Sequence, residues 1–124
     1  MSTIRTNTIL HSSGSTTTEP SIPALDQRMA KAWVNFNGQN TLAVRSSYNV
    51  SSVTDIQTGR YQVNYTVALA DANYSACASK TAATTYTDSG VSVGGAATTK
   101  VQVDIVENNV YADSGSVSVI ILGN

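Results

Sequence analysis

Apolar and polar side chains alternate most clearly between Gly59 and Tyr74. Tyr61, Val63, Tyr65, Val67 and Leu69 hold every second position, with Gln62, Asn64, Thr66 and Ala68 between them. That two-residue period sends successive side chains to opposite faces and predicts a half-buried β-strand over 61–69. A helix would scatter the same five apolar residues around its circumference, whereas aromatic and β-branched types pack well on a pleated surface. Turn chemistry bounds the strand, with Gly59 before it and Asp71-Ala72-Asn73 after it.

Similar short patterns follow one another from Trp33 onward. Ala32 to Phe36 reads as a strand ended by Asn37-Gly38-Gln39-Asn40, residues that tolerate the positive φ of a hairpin turn. Thr41 to Ser47 reads as its partner, with Leu42 and Val44 on one face and Ala43 and Arg45 on the other. Val50 to Ile56 and Tyr74 to Lys80 supply two more strands. Lys100 to Glu107 turns Val101, Val103 and Ile105 inward, and Ser116 to Leu122 does the same with Val117, Val119 and Ile121, although both faces are apolar by Ile120. The region 81–99, small and glycine-rich, predicts a long loop or a pair of weak strands around Tyr86 and Val91-Ser92-Val93. Seven or eight short strands at 8–12-residue spacing predict an all-β fold, an antiparallel β-sandwich occupying residues 33–124.

Two N-terminal segments depart from this pattern. Residues 1–22 are rich in Ser and Thr, and Ile4, Ile9, Leu10 and Ile22 are too few to build a core. They predict an extended docking arm, in which the strand character of Ile4, Thr6, Thr8, Ile9 and Leu10 suits addition to a sheet edge on a neighbouring protein. Residues 23–32 contain the one run of strong helix formers, Ala24 to Ala32, and predict a short helix with Leu25 and Met29 four residues apart on one side. A helix of two or three turns is marginal in water, so Leu25 and Met29 are expected to pack at an oligomer interface.

Composition narrows the functional classes. At 124 residues the chain suits one domain burying roughly two-thirds of its unfolded surface, and sharing the arm and helix in a homo-oligomer would enlarge a thin core. Seven basic against eight acidic residues leave no electrostatic footprint for nucleic acid or an anionic membrane. No apolar run reaches the roughly 20 residues of a membrane span, and Met1 is followed by no basic-then-apolar leader, so the chain is expected to start there and to be made in the cytosol. The single cysteine, Cys77, among Ala and Ser, is expected to be a small buried strand residue.

Several separated motifs resemble a known family. Lys31-Ala32-Trp33-Val34-Asn35-Phe36-Asn37-Gly38, Ser47-Tyr48-Asn49-Val50-Ser51-Ser52-Val53-Thr54-Asp55, Gly59-Arg60-Tyr61-Gln62-Val63-Asn64-Tyr65 and Asp71-Ala72-Asn73-Tyr74 look like the recurrent domain of bacteriophage tail fibres and related virion appendages, especially in phages of marine bacteria and cyanobacteria. Ile4-Arg5-Thr6-Asn7-Thr8-Ile9 resembles the opening of such fibres, and Val117 to Asn124 their closing strand. The resemblance implies a structural virion protein, made in the host cytoplasm and carried on the particle as a homotrimer. Its partners would be copies of itself, other tail or capsid proteins, and a glycan of the host surface. The extended shaft of long fibres is missing, which suits a short fibre, a tip or a decoration.

Candidate chemistry is sparse. Hydrolysis needs converging groups, yet the one histidine, His11, lies in the arm and the carboxylates are dispersed, mostly in turns. No Cys/His cluster, calcium loop or phosphate-cradling glycine motif is present, so no catalytic residue, metal ligand or cofactor is expected. A glycosidase-like carboxylate pair would depend on which of Asp26, Asp55, Asp71, Asp88, Asp104, Glu107 and Asp113 meet in space. Trp33 beside Lys31 is placed either as core or interface, which its alternation with Phe36 favours, or as a stacking platform for sugars. Tyr86, in the small, polar stretch 81–95, is the other candidate for receptor or glycan contact. A free-standing carbohydrate-binding module is therefore the alternative to a virion protein.

Overall fold

A computed structural model of the chain describes residues 2–3, 5–15, 28–81 and 89–123. The strands are β1 (Ala30–Asn37), β2 (Ala43–Tyr48), β3 (Val50–Gln57), β4 (Arg60–Tyr65), β5 (Ser75–Lys80), β6 (Ser89–Ala97), β7 (Lys100–Glu107), β8 (Val110–Tyr111) and β9 (Val117–Leu122). They form two antiparallel sheets packed face to face, a β-sandwich. One sheet has the order β2-β1-β9-β5; the other runs β3-β4-β7-β6, with β8 added beside β7.

The core comes from the central strands of each sheet. Val34 and Phe36 of β1 and Val117, Val119 and Ile121 of β9 face Tyr61, Val63 and Tyr65 of β4 and Val101, Val103 and Ile105 of β7, all buried. Phe36 and Tyr61 meet edge to face at 5.1 Å, and Tyr65 meets Tyr74 similarly at 6.1 Å, so aromatic pairs close both ends of the thin core. The inward faces expected for β4, β7 and β9 are the observed ones.

The C-terminal part of the expected helix, residues 28–32, is strand and turn instead, while residues 23–27 lie outside the described residues. Arg28 and Met29 form a turn and bend, and Ala30 to Ala32 open β1, pairing with Leu122 and Ile121 of β9. Ala32 is fully buried in the sandwich, and a good helix former yields where a strand position buries it against two sheets. Met29 is therefore an exposed residue ahead of β1, not part of a helical seam, while Leu25 lies outside the described residues.

The long alternation of 61–69 also overstates its strand. β4 stops at Tyr65, and Val67 is 66% exposed. Asn49, with a φ of 52°, ends β2 and turns the chain into the other sheet; its side chain then behaves as a strand residue toward Val67. Asn49 Oδ1 accepts from Val67 N at 2.8 Å and Nδ2 donates to Val67 O at 3.1 Å, which pulls 66–68 off the line of β4. Leu69 returns to the core through its N–H bond to Thr98 O.

Cys77 is exposed, contrary to expectation. It stands opposite Ile120, an outward position, so the parity of β5 places Ala76 and Ala78 toward the core and the thiol outside. Trp33 shares that outward face and is half-buried, so it is not a core residue. The weak-strand region resolves into a nine-residue strand, β6; Tyr86 lies outside the described residues.

Candidate functional site

The outer face of the β2-β1-β9-β5 sheet carries an apolar row. Register places Tyr48 opposite Trp33, Trp33 opposite Ile120, and Ile120 opposite Cys77, so one residue from each strand contributes. Ile120 is 46% exposed and Tyr48, Leu122 and Met29 are exposed to similar degrees, which gathers the row and its surroundings into a patch rather than scattered single residues. The neighbouring row is polar: Ser46, Asn35, Ser118 and Ser79. Asn35 Nδ2 donates to Ser118 Oγ at 2.8 Å, and Arg45, at the β-bulge of β2, donates to Asn35 Oδ1 at 3.3 Å and to Gly115 O at 2.5 Å. These bonds fix the polar row and leave the apolar row the sticky half of the face.

Of the residues expected to act, Trp33 alone belongs to this row. Tyr48, Ile120 and Cys77 escaped the sequence reading because cross-strand register, not spacing, brings them beside it. The apolar residue at Ile120 on an otherwise polar face was the visible sign.

The opposite sheet presents a polar face. Arg60 binds Asp104 through two bonds of 3.2 and 3.0 Å and lies 4.9 Å from the centre of the Tyr111 ring. The Arg60 guanidinium, helped by Gln102, holds the Asp104 carboxyl below its ordinary range. Lys100 donates to Gln62, Gln62 to Asn64, and Asn64 to Ser52 and Thr54, so the amides satisfy one another across three strands.

A cleft of about 290 Å³ opens at one end of the sandwich, lined by Gln39, Thr81, Glu107, Asp113, Ser114, Gly115 and Ser116. It brings Glu107 and Asp113 to one place, but both carboxylates are engaged. Glu107 pairs with the nearly buried Lys80. Asp113 Oδ1 accepts from the Tyr61 hydroxyl at 2.6 Å and from Gly59 N at 2.7 Å, latching the strand ends together. Burial, reinforced by Asp113, raises the pKa of the Tyr61 phenol well above its ordinary value; burial does the same to Tyr65, whose hydroxyl has no hydrogen-bond partner. Among the described residues no group of three or more His, Cys, Asp or Glu is arranged to hold a metal ion, and no helix is long and apolar enough to cross a membrane.

The arm stands apart from both sheets. Residues 5–10 are exposed, Ile9 at 60%, and the hydrogen bonds of Thr6 with Thr8 and of His11 with Ser13 and Gly14 are local. Ile4 lies outside the described residues.

Comparison with protein-family models, with curated proteins and with solved structures gives no match.

Proposed function

We propose that this chain is a non-enzymatic structural protein of a bacteriophage virion, a subunit of a tail fibre or related appendage. In this reading the subunit is a homotrimer, residues 1–22 join it to its neighbours on the particle, and the sandwich is displayed outward toward the host surface. The observation that carries it is the arm, whose residues 5–10 are exposed and form no strand in either sheet. A segment with strand-forming residues and no sheet of its own is suited to assembly. The resemblance of the ordered motifs to tail-fibre domains supports the same reading. Mass spectrometry of purified particles should find the chain. A variant beginning at Ser21 should keep the β-type circular dichroism of the full chain and be absent from particles; its incorporation at the normal level would refute the docking role.

The second reading, a carbohydrate-binding module, is favoured by the Tyr48–Trp33 pair on an exposed sheet face beside a polar row. Glycan-array binding by isolated monomer, lost in Trp33→Ala with folding intact, would select it over the first.

A further inference from the structure

The sandwich has four edge strands, and they are not equally protected. β2 is interrupted by the bulge at Arg45, β6 by a register shift between Gly94 and Ala97, and β5 is short, ends in Lys80 and runs close beside β6. β3 is different. Its eight residues, Val50 to Gln57, contain no proline, glycine or lysine; its register against β4 shifts between Val50 and Ser52 and again between Asp55 and Gln57, and the four residues between those shifts, Ser52 to Asp55, pair regularly. All but Val50 and Val53 are exposed, so a β-branched edge lies open to pairing.

We propose that this edge receives the arm of a second copy, residues 5–10 adding antiparallel to β3. Within one chain the two do not pair: residues 5–10 form no strand and Thr6 bonds locally to Thr8, and β3 ends its sheet. Twelve residues, 16–27, separate the described part of the arm from Arg28, and extended they reach about 40 Å, enough to cross to a neighbouring subunit. Charge and side-chain type select the register. Arg5 is the one charged side chain of residues 5–10, and Asp55 is the one charged side chain of β3. Setting Arg5 against Asp55 in the antiparallel sense places Thr6 by Thr54 and Thr8 by Ser52 along the regular part of β3, matching charge with countercharge and hydroxyl with hydroxyl, with Asn7 by Val53 between them. A parallel alignment of the same six residues sets Leu10 against Asp55 instead. Strand pairing replaces the local Thr6–Thr8 bonds and lets the exposed backbone groups of residues 5–10 and of the β3 edge satisfy each other.

The inference concerns the assembly role of the arm and holds whether or not the protein belongs to a virion, so purified protein tests it. In a Cys77→Ser background, chains carrying Thr6→Cys alone and chains carrying Thr54→Cys alone are mixed and oxidised, with circular dichroism confirming that each is folded. Directly opposed strand residues lie about 4.5–5.5 Å apart at Cα, within disulfide range, whereas a two-residue offset places them about 7–8 Å apart and outside it. Disulfide-linked dimers containing one chain of each kind are expected, and the offset mixture of Thr6→Cys with Ser52→Cys should give none. The proposal is overturned if the Thr6/Thr54 mixture gives no mixed dimer, if the offset mixture links equally well, or if a doubly substituted chain closes only on itself. Failure here with the Ser21 truncation still excluded from particles would mean that the arm docks on a different protein, leaving the virion reading untouched.

Discussion

Gly59→Ala should be among the most damaging single-methyl additions in this fold. Gly59 sits at a φ of 69° in the β3–β4 turn, a conformation costing an L-residue about 1–2 kcal/mol. An added Cβ would lie 2.5 Å from Ala112 N and 2.7 Å from Ile105 O, both backbone atoms of the neighbouring strand and its connection. Those atoms are held by the bonds Ile105 N to Gly59 O at 2.7 Å and Ala112 N to Ile105 O at 3.2 Å, so relieving the clash means breaking at least one. Gly59 N also supports the Asp113 latch on Tyr61. Two lost bonds at about 1 kcal/mol each, added to the conformational term, give about 3–4 kcal/mol. For a chain of this size about 3–6 °C accompanies each kcal/mol, so the melting temperature should fall by about 10–20 °C. Gly94→Ala is the matched control: nothing lies within 4 Å of its added Cβ, and replacing a strand glycine there should be neutral or stabilise by about 0.4–1 kcal/mol. Urea unfolding of both variants, with the parent m-value retained, measures the difference. A Gly59→Ala protein within about 1 kcal/mol of the parent would refute the packing argument.

Val63→Asp and Tyr65→Asp should each abolish the cooperative unfolding transition, since a carboxylate placed in the buried face costs several kcal/mol against a total of about 5–15; Gln62→Asp and Asn64→Asp, on the polar face, should melt close to the parent. Tyr61 and Tyr65, two of the six tyrosines, have folded pKa values raised above the ordinary 10, so the stability they carry is intact below that pH and is lost as pH rises beyond it. Ultraviolet titration should show both resisting ionisation until the fold opens, and Tyr61→Phe should weaken the alkaline loss. Asp104 has a folded pKa below its ordinary 3.8, so its contribution is present above that value and fades as pH falls through the depressed one; Asp104→Asn should be less stable at neutral pH and show a shallower acid slope in chemical denaturation.

Much of the sandwich is legible in the sequence because its central strands obey a two-residue period with one buried face. Val101, Val103 and Ile105, or Val117, Val119 and Ile121, need no partner to announce themselves. What failed was set by partners. The helix formers Ala30 to Ala32 became strand because β9 lies beside them, and Val67 left its strand because a side-chain amide eighteen positions earlier bonds its backbone. The candidate site was legible only as Trp33. The rest of its row depends on three registers meeting across four strands, which no window along the chain contains.

One consequence of strand order concerns synthesis. β9 is an interior strand, hydrogen-bonded to β1 on one side and β5 on the other, so the residues that join this sheet are made after both of the strands they connect. Asn35 waits for Ser118, 83 positions later, and such closures are entropically slow. Until then β1 and β5 have no common neighbour, and the row that carries Trp33 on to Ile120 and Cys77 does not exist as a surface. A nascent chain that stops before Val117 cannot present it, so a partner reading that face would distinguish finished subunits from aborted ones.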